Sequence, residues 1–286
     1  MRCRSVLTRV DAARTGELAK ADDRAVQEHI QRCKSCDESL HDVASLARVM
    51  KSLAVKPSRS CRDEIDHFDQ IDDVWVAFSD HGLRMITRGG TAEAFSKQYA
   101  KRYGRALVRA KLPPALRNQV GDALRGEGVS KPQLDVEEST DLETKVRNTL
   151  AKIPKGEVRT YSWVAEQIGN PRAVRAVASA IARNIVPFVV PCHRVVPASG
   201  GVGEYAFGSR MKRELLRREG VDVDTLDALA REGVRYIGSK TTNVVCFPTC
   251  KGARSIREEN RVPFRAAAEA LQKGFRPCRL CQPFAA

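Results

Sequence analysis

Val190-Pro191-Cys192-His193-Arg194-Val195 is the stretch around which this 286-residue chain is organised. The apolar run Phe188-Val189-Val190 leads into it and delivers Pro191-Cys192-His193 to its end. Cys192 stands alone in the sequence, and a lone cysteine is most often a buried, inert side chain. A neighbouring imidazole can supply the base that a thiol needs for nucleophilic attack. On a strand, however, adjacent side chains point to opposite faces, so His193 by itself does not make Cys192 reactive.

Working outward, residues 161–183 read as helix, short turn, helix. Ser162 is expected to cap residues 163–168, Gly169-Asn170 breaks the chain, and Pro171 opens a second helix through Arg183. The small residues between Ala173 and Ala180 allow close approach to another surface. That suits DNA binding and tight core packing alike. Upstream, Leu142, Val146, Leu150 and Ile153 mark one face of a helix. Val74-Trp75-Val76-Ala77-Phe78 and the run from Leu83 to Ile86 flank His81-Gly82 and predict a hairpin, with a helix following near residues 92–103. Residues 126–139 read as loop. The polar stretch from Lys51, with Pro57, Ser58 and Ser60, shows little periodicity and predicts a linker over residues 51–70. Val10, Ala13, Leu18, Ala25, Val26 and Ile30 are spaced for amphipathic helices.

The formal net charge of +14 suits a polyanionic partner. Residues 140–220 hold 14 Lys/Arg against 7 Asp/Glu, so half the excess lies around Cys192. No apolar run approaches the length of a membrane-spanning helix, and the N-terminus lacks the apolar stretch of a signal peptide. A cytoplasmic protein without a membrane partner is therefore expected. In such a compartment, paired cysteines read as metal sites before disulfides. Among the nine cysteines, Cys33-x2-Cys36, Cys246-x3-Cys250 and Cys278-x2-Cys281 are paired in this way.

A collinear set of motifs then singles out residues 140–220. It comprises Ile153-Pro154-Lys155-Gly156-Glu157, Thr160-Tyr161, Asn170-Pro171-Arg172-Ala173-Val174-Arg175-Ala176-Val177, Asn184, Pro191 to Val196, Gly203-Glu204-Tyr205, and Lys212 with Glu219-Gly220. This stretch resembles the O6-alkylguanine-DNA alkyltransferase family. The resemblance implies irreversible transfer of an alkyl group from double-stranded DNA to Cys192, with the alkylated guanine flipped out of the stack. It implies that His193 takes the thiol proton through a water, with Glu219 orienting it, and that Tyr161 protonates the departing guanine. Asn184 shapes the site. Arg172, Arg175, Ala176 and Tyr205 form the DNA-contacting set, with Arg175 filling the gap left by the flipped nucleotide. No cofactor is implied for this step. Two positions depart from the family pattern: Leu142-Glu143 near the start of a helix, and the loop Glu204-Tyr205-Ala206-Phe207.

The two C-terminal cysteine pairs suit a closed tetrahedral zinc site. With Tyr236-Ile237-Gly238, Thr241 to Cys250 and Gly274 to Pro283, they look like an Ada-type zinc domain. By that similarity Cys246, Cys250, Cys278 and Cys281 bind zinc, and Cys246 accepts methyl groups from methylphosphotriesters. A purely structural zinc site is the alternative. At the other end, His29-x3-Cys33-x2-Cys36, with Cys3 as a fourth ligand, resembles a zinc-containing anti-sigma module. Two readings stand there, a sigma-factor-binding module and a small helical zinc cap. The chain as a whole is expected to be multidomain α+β. It divides into a helical zinc module (1–50), a linker (51–70), an alkyltransferase N-terminal subdomain (71–139), a catalytic helix-turn-helix domain (140–221) and a small α/β zinc domain (222–286). The rival to a repair protein is an anti-sigma type regulator that uses the same domains to sense damage.

Overall fold

The computed structural model describes residues 20–34, 36, 66–127, 132–136 and 140–284. Contacts divide the chain into two units, Met1–Arg62 and Asp63–Ala286. In the first, helix α1 (Lys20–Ile30) is followed by a turn to Cys36. Val26 and Ile30, four apart and so on one helical face, are buried. Ala25 beside them is half-buried. Val10, Ala13, Leu18 and Cys3 lie outside the described residues.

The second unit opens with three antiparallel strands, β1 (Asp66–Ile71), β2 (Val74–Ser79) and β3 (Gly82–Arg88). Helix α2 (Ala92–Tyr103) returns the chain to β4 (Leu107–Arg109), which pairs parallel to β1 and gives the order β3-β2-β1-β4. The hairpin and the helix are where the sequence pattern puts them. The linker is not: its last residues form β1. Alternation there is disguised because an inward position is filled by the charged Asp66 rather than an apolar residue.

Asp66 is tolerated because its charge is matched. Arg84 Nη1 donates to both its oxygens, at 2.7 and 2.9 Å, and the Tyr99 hydroxyl donates to Oδ2 at 2.7 Å. Phe95 and Tyr99 pack against Phe68, Trp75 and Met85 around this pair. Thr91 caps α2, and Gly104 ends it in the left-handed region at φ 67°. On the opposite side of the sheet, Leu116 and Val120 of α3 (Pro114–Arg125) join Val74, Val76 and Phe78 in the main core.

The chain then enters α4 (Asp141–Leu150), begun by a capping box between Thr140 and Glu143. Short β5 (Arg159–Thr160) runs into α5 (Tyr161–Gln167), and a turn leads to α6 (Val174–Ala182). The expected helix boundaries shift here. Thr160, extended and one residue outside α5, accepts the Trp163 N–H, while Ser162 lies inside the helix and bonds Thr160 Oγ1. Pro171 sits in a turn closed by Ala173 N–H to Asn170 O, so α6 starts three residues later than expected. A 3-10 turn at Cys192–Arg194 precedes β6 (Val195–Val196), which pairs parallel to β5, and α7 (Ser209–Arg218) and α8 (Val223–Arg231) follow.

The C-terminal part holds β7 (Tyr236–Ser239), β8 (Val244–Cys246), α9 (Lys251–Arg254), β9 (Arg261–Phe264), α10 (Ala267–Gln272) and β10 (Arg276–Pro277). Its sheet order is β10-β8-β7-β9. Leu150, Val177, Val190 and Val195 share one apolar cluster with Ile237, Cys246 and Phe247. The divisions expected near residues 139 and 221 thus fall inside one compact unit. Among the described residues, no helix is long and apolar enough to cross a membrane.

Asp66→Asn takes from Arg84 its nearest, doubly hydrogen-bonded carboxylate and leaves it the carboxylate of Asp135, at 3.6 Å. It is expected to destabilise the second unit by about 3 kcal/mol. The shift in urea midpoint at pH 7 measures it.

Candidate active site and metal centres

Cys192 is held at the start of its 3-10 turn by a loop that Asn184 ties together. Asn184 Nδ2 donates to Val190 O at 3.1 Å and points at Cys192 Sγ at 3.1 Å, while its Oδ1 accepts from Val186 N. Within this loop Phe188 takes φ 70°, a left-handed conformation that costs a bulky residue about 1–3 kcal/mol. Its ring stacks on Phe207 at 5.3 Å. Because Cys192 and His193 share a 3-10 turn and not a strand, the opposite-faces argument from the sequence does not govern them.

His193 is fully buried, and its Nε2 lies 2.9 Å from Glu219 Oε1. Arg194 grips the same carboxylate with two bonds of 2.8 Å, from Nε to Oε2 and from Nη2 to Oε1. These contacts hold the Glu219 carboxyl down at about 2 against its burial. A carboxylate only accepts hydrogen bonds, so Nε2 carries the imidazole proton and Nδ1 carries the lone pair. Among the described residues that Nδ1 is buried without a partner. Burial lowers the imidazole's own pKa, which keeps it neutral and able to accept a proton.

The thiol is likewise held neutral. Burial pushes Cys192 upward, opposed by Asn184, by the Tyr205 hydroxyl 3.8 Å from Sγ, and by the charge of Lys212. Lys212 is itself brought down to about 8 by burial, and its Nζ donates to Val195 O at 2.6 Å and Glu204 O at 3.2 Å. Tyr161, first residue of α5, has its hydroxyl pKa raised by burial and by Cys192. A phenol in that condition keeps its proton and can donate a hydrogen bond. These groups open onto a cavity of about 500 Å³, whose far wall includes Met85 and Thr87 of β3. The arrangement is a neutral thiol that becomes a nucleophile when its proton leaves, beside a neutral base and a phenolic acid.

The structure thus gathers Cys192, His193, Glu219, Asn184, Tyr161 and Tyr205 at one site. Arg172, Arg175 and Ala176 are instead exposed, on the turn before α6 and in its first turn. Tyr205, expected among the DNA contacts, touches the thiol. Lys212 and Arg194 stand in the collinear motif set, but sequence reasoning gave them no role at the site. A signal for Lys212 exists: it lies on the buried face of α7 with Leu215 and Leu216, where an unpaired cation is out of place.

The C-terminal quartet is assembled by strand pairing. β10 runs parallel to β8 with Pro277 opposite Val245, so Cys246 and Cys278 emerge at the same end of the sheet, and Cys278 N–H bonds Val245 O. All four sulfurs are buried and within 4.8 Å of one another. In a tetrahedral zinc site with Zn–S of about 2.3 Å the sulfurs are roughly 3.8 Å apart, so the donor set fits. Gly252 leaves room beside it: a Cβ there would lie 3.4 Å from Cys246 Sγ and 3.8 Å from Cys250 Sγ. At the N-terminal end, His29, Cys33 and Cys36 bring their donor atoms within the same 4.8 Å, and among the described residues His29 Nε2 is buried with no hydrogen-bond partner. These three fit a second metal site. Cys3, the expected fourth ligand, lies outside the described residues.

Residues 141–221 match the family model described as 6-O-methylguanine DNA methyltransferase, DNA binding domain, and residues 225–283 match the metal binding domain of Ada. A methylated-DNA–protein-cysteine methyltransferase of Methanosarcina acetivorans is 48% identical over 83 residues, 29% of this chain and 53% of that protein. The bifunctional transcriptional activator/DNA repair enzyme Ada of Escherichia coli is 46% identical over 80 residues, 28% of this chain and 23% of Ada. The chain spans about half the length of the curated methyltransferases it matches. Among solved structures, Mycobacterium tuberculosis OGT in complex with DNA is 29% identical, covering 57% of this chain and 98% of that one, with a TM-score of 0.45.

Replacing Glu219 by Gln would offer His193 Nε2 an N–H, reverse the imidazole tautomer and remove the lone pair from Nδ1. Alkylation of Cys192 by iodoacetamide at pH 7 is then expected to slow by about 10²-fold, measured by mass spectrometry of the modified peptide. The depressed pKa has a stability counterpart. The contribution of the Glu219 carboxylate is complete above its ordinary 4.5 and is lost as pH falls towards about 2, so Glu219→Gln should flatten the acid limb of the stability profile.

Proposed function

We propose that Cys192 accepts alkyl groups from O6-alkylguanine in DNA, in a chain that carries a 6-O-methylguanine DNA methyltransferase DNA-binding domain over residues 141–221 and an Ada metal-binding domain over residues 225–283. The observation that carries this reading is the buried Cys192 thiol followed by His193, whose Nε2 is held on Glu219 and whose Nδ1 is buried without a partner among the described residues. A water between His193 Nδ1 and Cys192 Sγ would relay the thiol proton to the imidazole. Sulfur attacks the alkyl carbon, the C–S bond forms and the C–O6 bond breaks. The electron pair stays on the guanine, which takes a proton from Tyr161. The product is a thioether with no leaving route, so each molecule acts once.

The cavity must receive a base extruded from the duplex, since the O6 substituent is shielded within the stack. Exposed Arg172 and Arg175 suit the two tasks this requires, phosphate contact and occupation of the vacated position. In this reading α5, the turn and α6 act as a helix-turn-helix, with α6 towards the duplex. Zinc at the C-terminal quartet would supply thiolate character to its ligands, and the resemblance extends alkyl acceptance to Cys246. That residue is 2% exposed, so transfer to it requires the sulfur to be uncovered. For the N-terminal end we keep to a metal site on His29, Cys33 and Cys36, because sigma-factor binding rests on the resemblance alone.

Incubation with a duplex bearing isotopically labelled O6-methylguanine is expected to place one label per chain on Cys192, mapped by mass spectrometry. Cys192→Ala should abolish it, and Tyr161→Phe should slow single-turnover transfer by about 10²-fold. Label absent from Cys192 in the unaltered protein would sink the reading. A methylphosphotriester duplex run in parallel tests Cys246 separately.

A further inference from the structure

The segment 157–163 faces two ways. On one side it grips the loops of the four-cysteine centre. Lys251 N–H, next to Cys250, donates to Glu157 Oε1 at 3.0 Å, and Val158 N–H donates to Thr249 Oγ1 at 2.9 Å. Trp163 Nε1–H donates to the carbonyl of Cys281 at 3.0 Å. Between these bonds Arg159 is sandwiched by the rings of Trp163 and Phe247, at 5.5 and 5.4 Å, and its Nη2 is paired with Glu157 Oε2 at 2.5 Å.

On the other side the same segment builds the Cys192 site. Arg159 and Thr160 pair with Val195 and Val196, the residues that follow the Cys192–Arg194 turn. Thr160 caps α5, whose first residue, Tyr161, lines the cavity with Cys192. Glu157, Val158, Arg159 and Trp163 are all buried, so losing their partners would leave donors and charges unmatched away from water. Four thiolates within 4.8 Å repel one another unless a cation lies among them, so the donor set is stable in its ionised form as a metal site.

We infer that metal occupancy of Cys246, Cys250, Cys278 and Cys281 holds the Cys192 site in its working geometry, with Glu157 and Trp163 as the positioning residues that carry the dependence. This rests on the proposed transfer to Cys192 for its functional readout only. The quartet is then a foundation of the alkyl-acceptor site as well as a centre of its own. A self-contained zinc domain would have no such reach, because none of its bonds would end on the neighbouring strand and helix.

The test uses the full chain carrying Trp75→Phe, which leaves Trp163 as the only tryptophan, and Cys33→Ser, so that released zinc comes from the quartet. Stripping zinc with a chelator is expected to red-shift Trp163 emission and slow labelling of Cys192 by O6-methylguanine duplex about tenfold. Added zinc should restore both. With zinc bound, Trp163→Phe keeps the ring and loses the donor, and should release zinc to a competing chelator several-fold faster. Glu157→Ala should do the same, while Glu157→Gln, which retains an acceptor for Lys251 N–H, should largely recover slow release. Unchanged Trp163 emission with full-speed labelling after zinc removal overturns the inference, as do release rates unaffected by these substitutions. If stripping unfolds the chain, the zinc-bound variants still decide. If the zinc-bound protein never labels Cys192, the proposed transfer fails, while emission and zinc release continue to report on the coupling.

Discussion

The Glu219 carboxylate is the contact on which the Cys192 site depends. It is buried, ionised, and shared between Arg194 and His193, two consecutive residues of the turn that begins at Cys192. A buried carboxylate persists only with such pairing, and Arg194 supplies it in a bidentate fork. Arg194 Nη1 also reaches Ile153 O at 2.6 Å, which fastens the turn to the end of the α4 region. One anion therefore sets the tautomer of the base, the orientation of the turn and its attachment to the core.

With that anion in place, burial does the remaining electrostatic work. The thiol and the imidazole are both driven towards their neutral forms, so the resting site carries no exposed thiolate open to adventitious oxidation or alkylation. Lys212 supplies a positive charge close enough to favour the thiolate once the proton departs. The phenols of Tyr161 and Tyr205 keep their protons for the same reason of burial.

The C-terminal part is continuous with this machinery. Phe247, between two of the metal-binding cysteines, packs under Arg159, and the cysteines themselves belong to the apolar cluster that contains Cys192. An amino-acid chain with two separable sites would need a polar, solvated boundary near residue 221. Val221, Val223 and Leu226 are instead buried with Val158 and Val196. The Cys192 site and the four-cysteine centre share one core.

Much was legible in the sequence because it is local or periodic. The hairpin around His81-Gly82, helix α2 and the apolar face of α4 follow from spacing, and the cysteine pairs point to metal sites through ligand separation alone. The motif around Cys192 also listed its partners in order along the chain. Helix starts were less legible at Thr160 and Pro171, where a residue one or three positions away won the cap or the turn, and β1 was hidden by an inward aspartate. Tertiary structure alone decided what depends on distance between remote residues. It put Arg194 with His193 on Glu219, turned Tyr205 towards the thiol, and buried Lys212 beside it. It also joined Trp163 to Cys281, 118 residues apart, because a buried indole N–H must find an acceptor and only the assembled core offers that carbonyl. Cys192 could be named a candidate acceptor from its neighbours in sequence; its burial, its partners and the hydrogen bonds that join its surroundings to the four-cysteine loops are properties of the packed molecule.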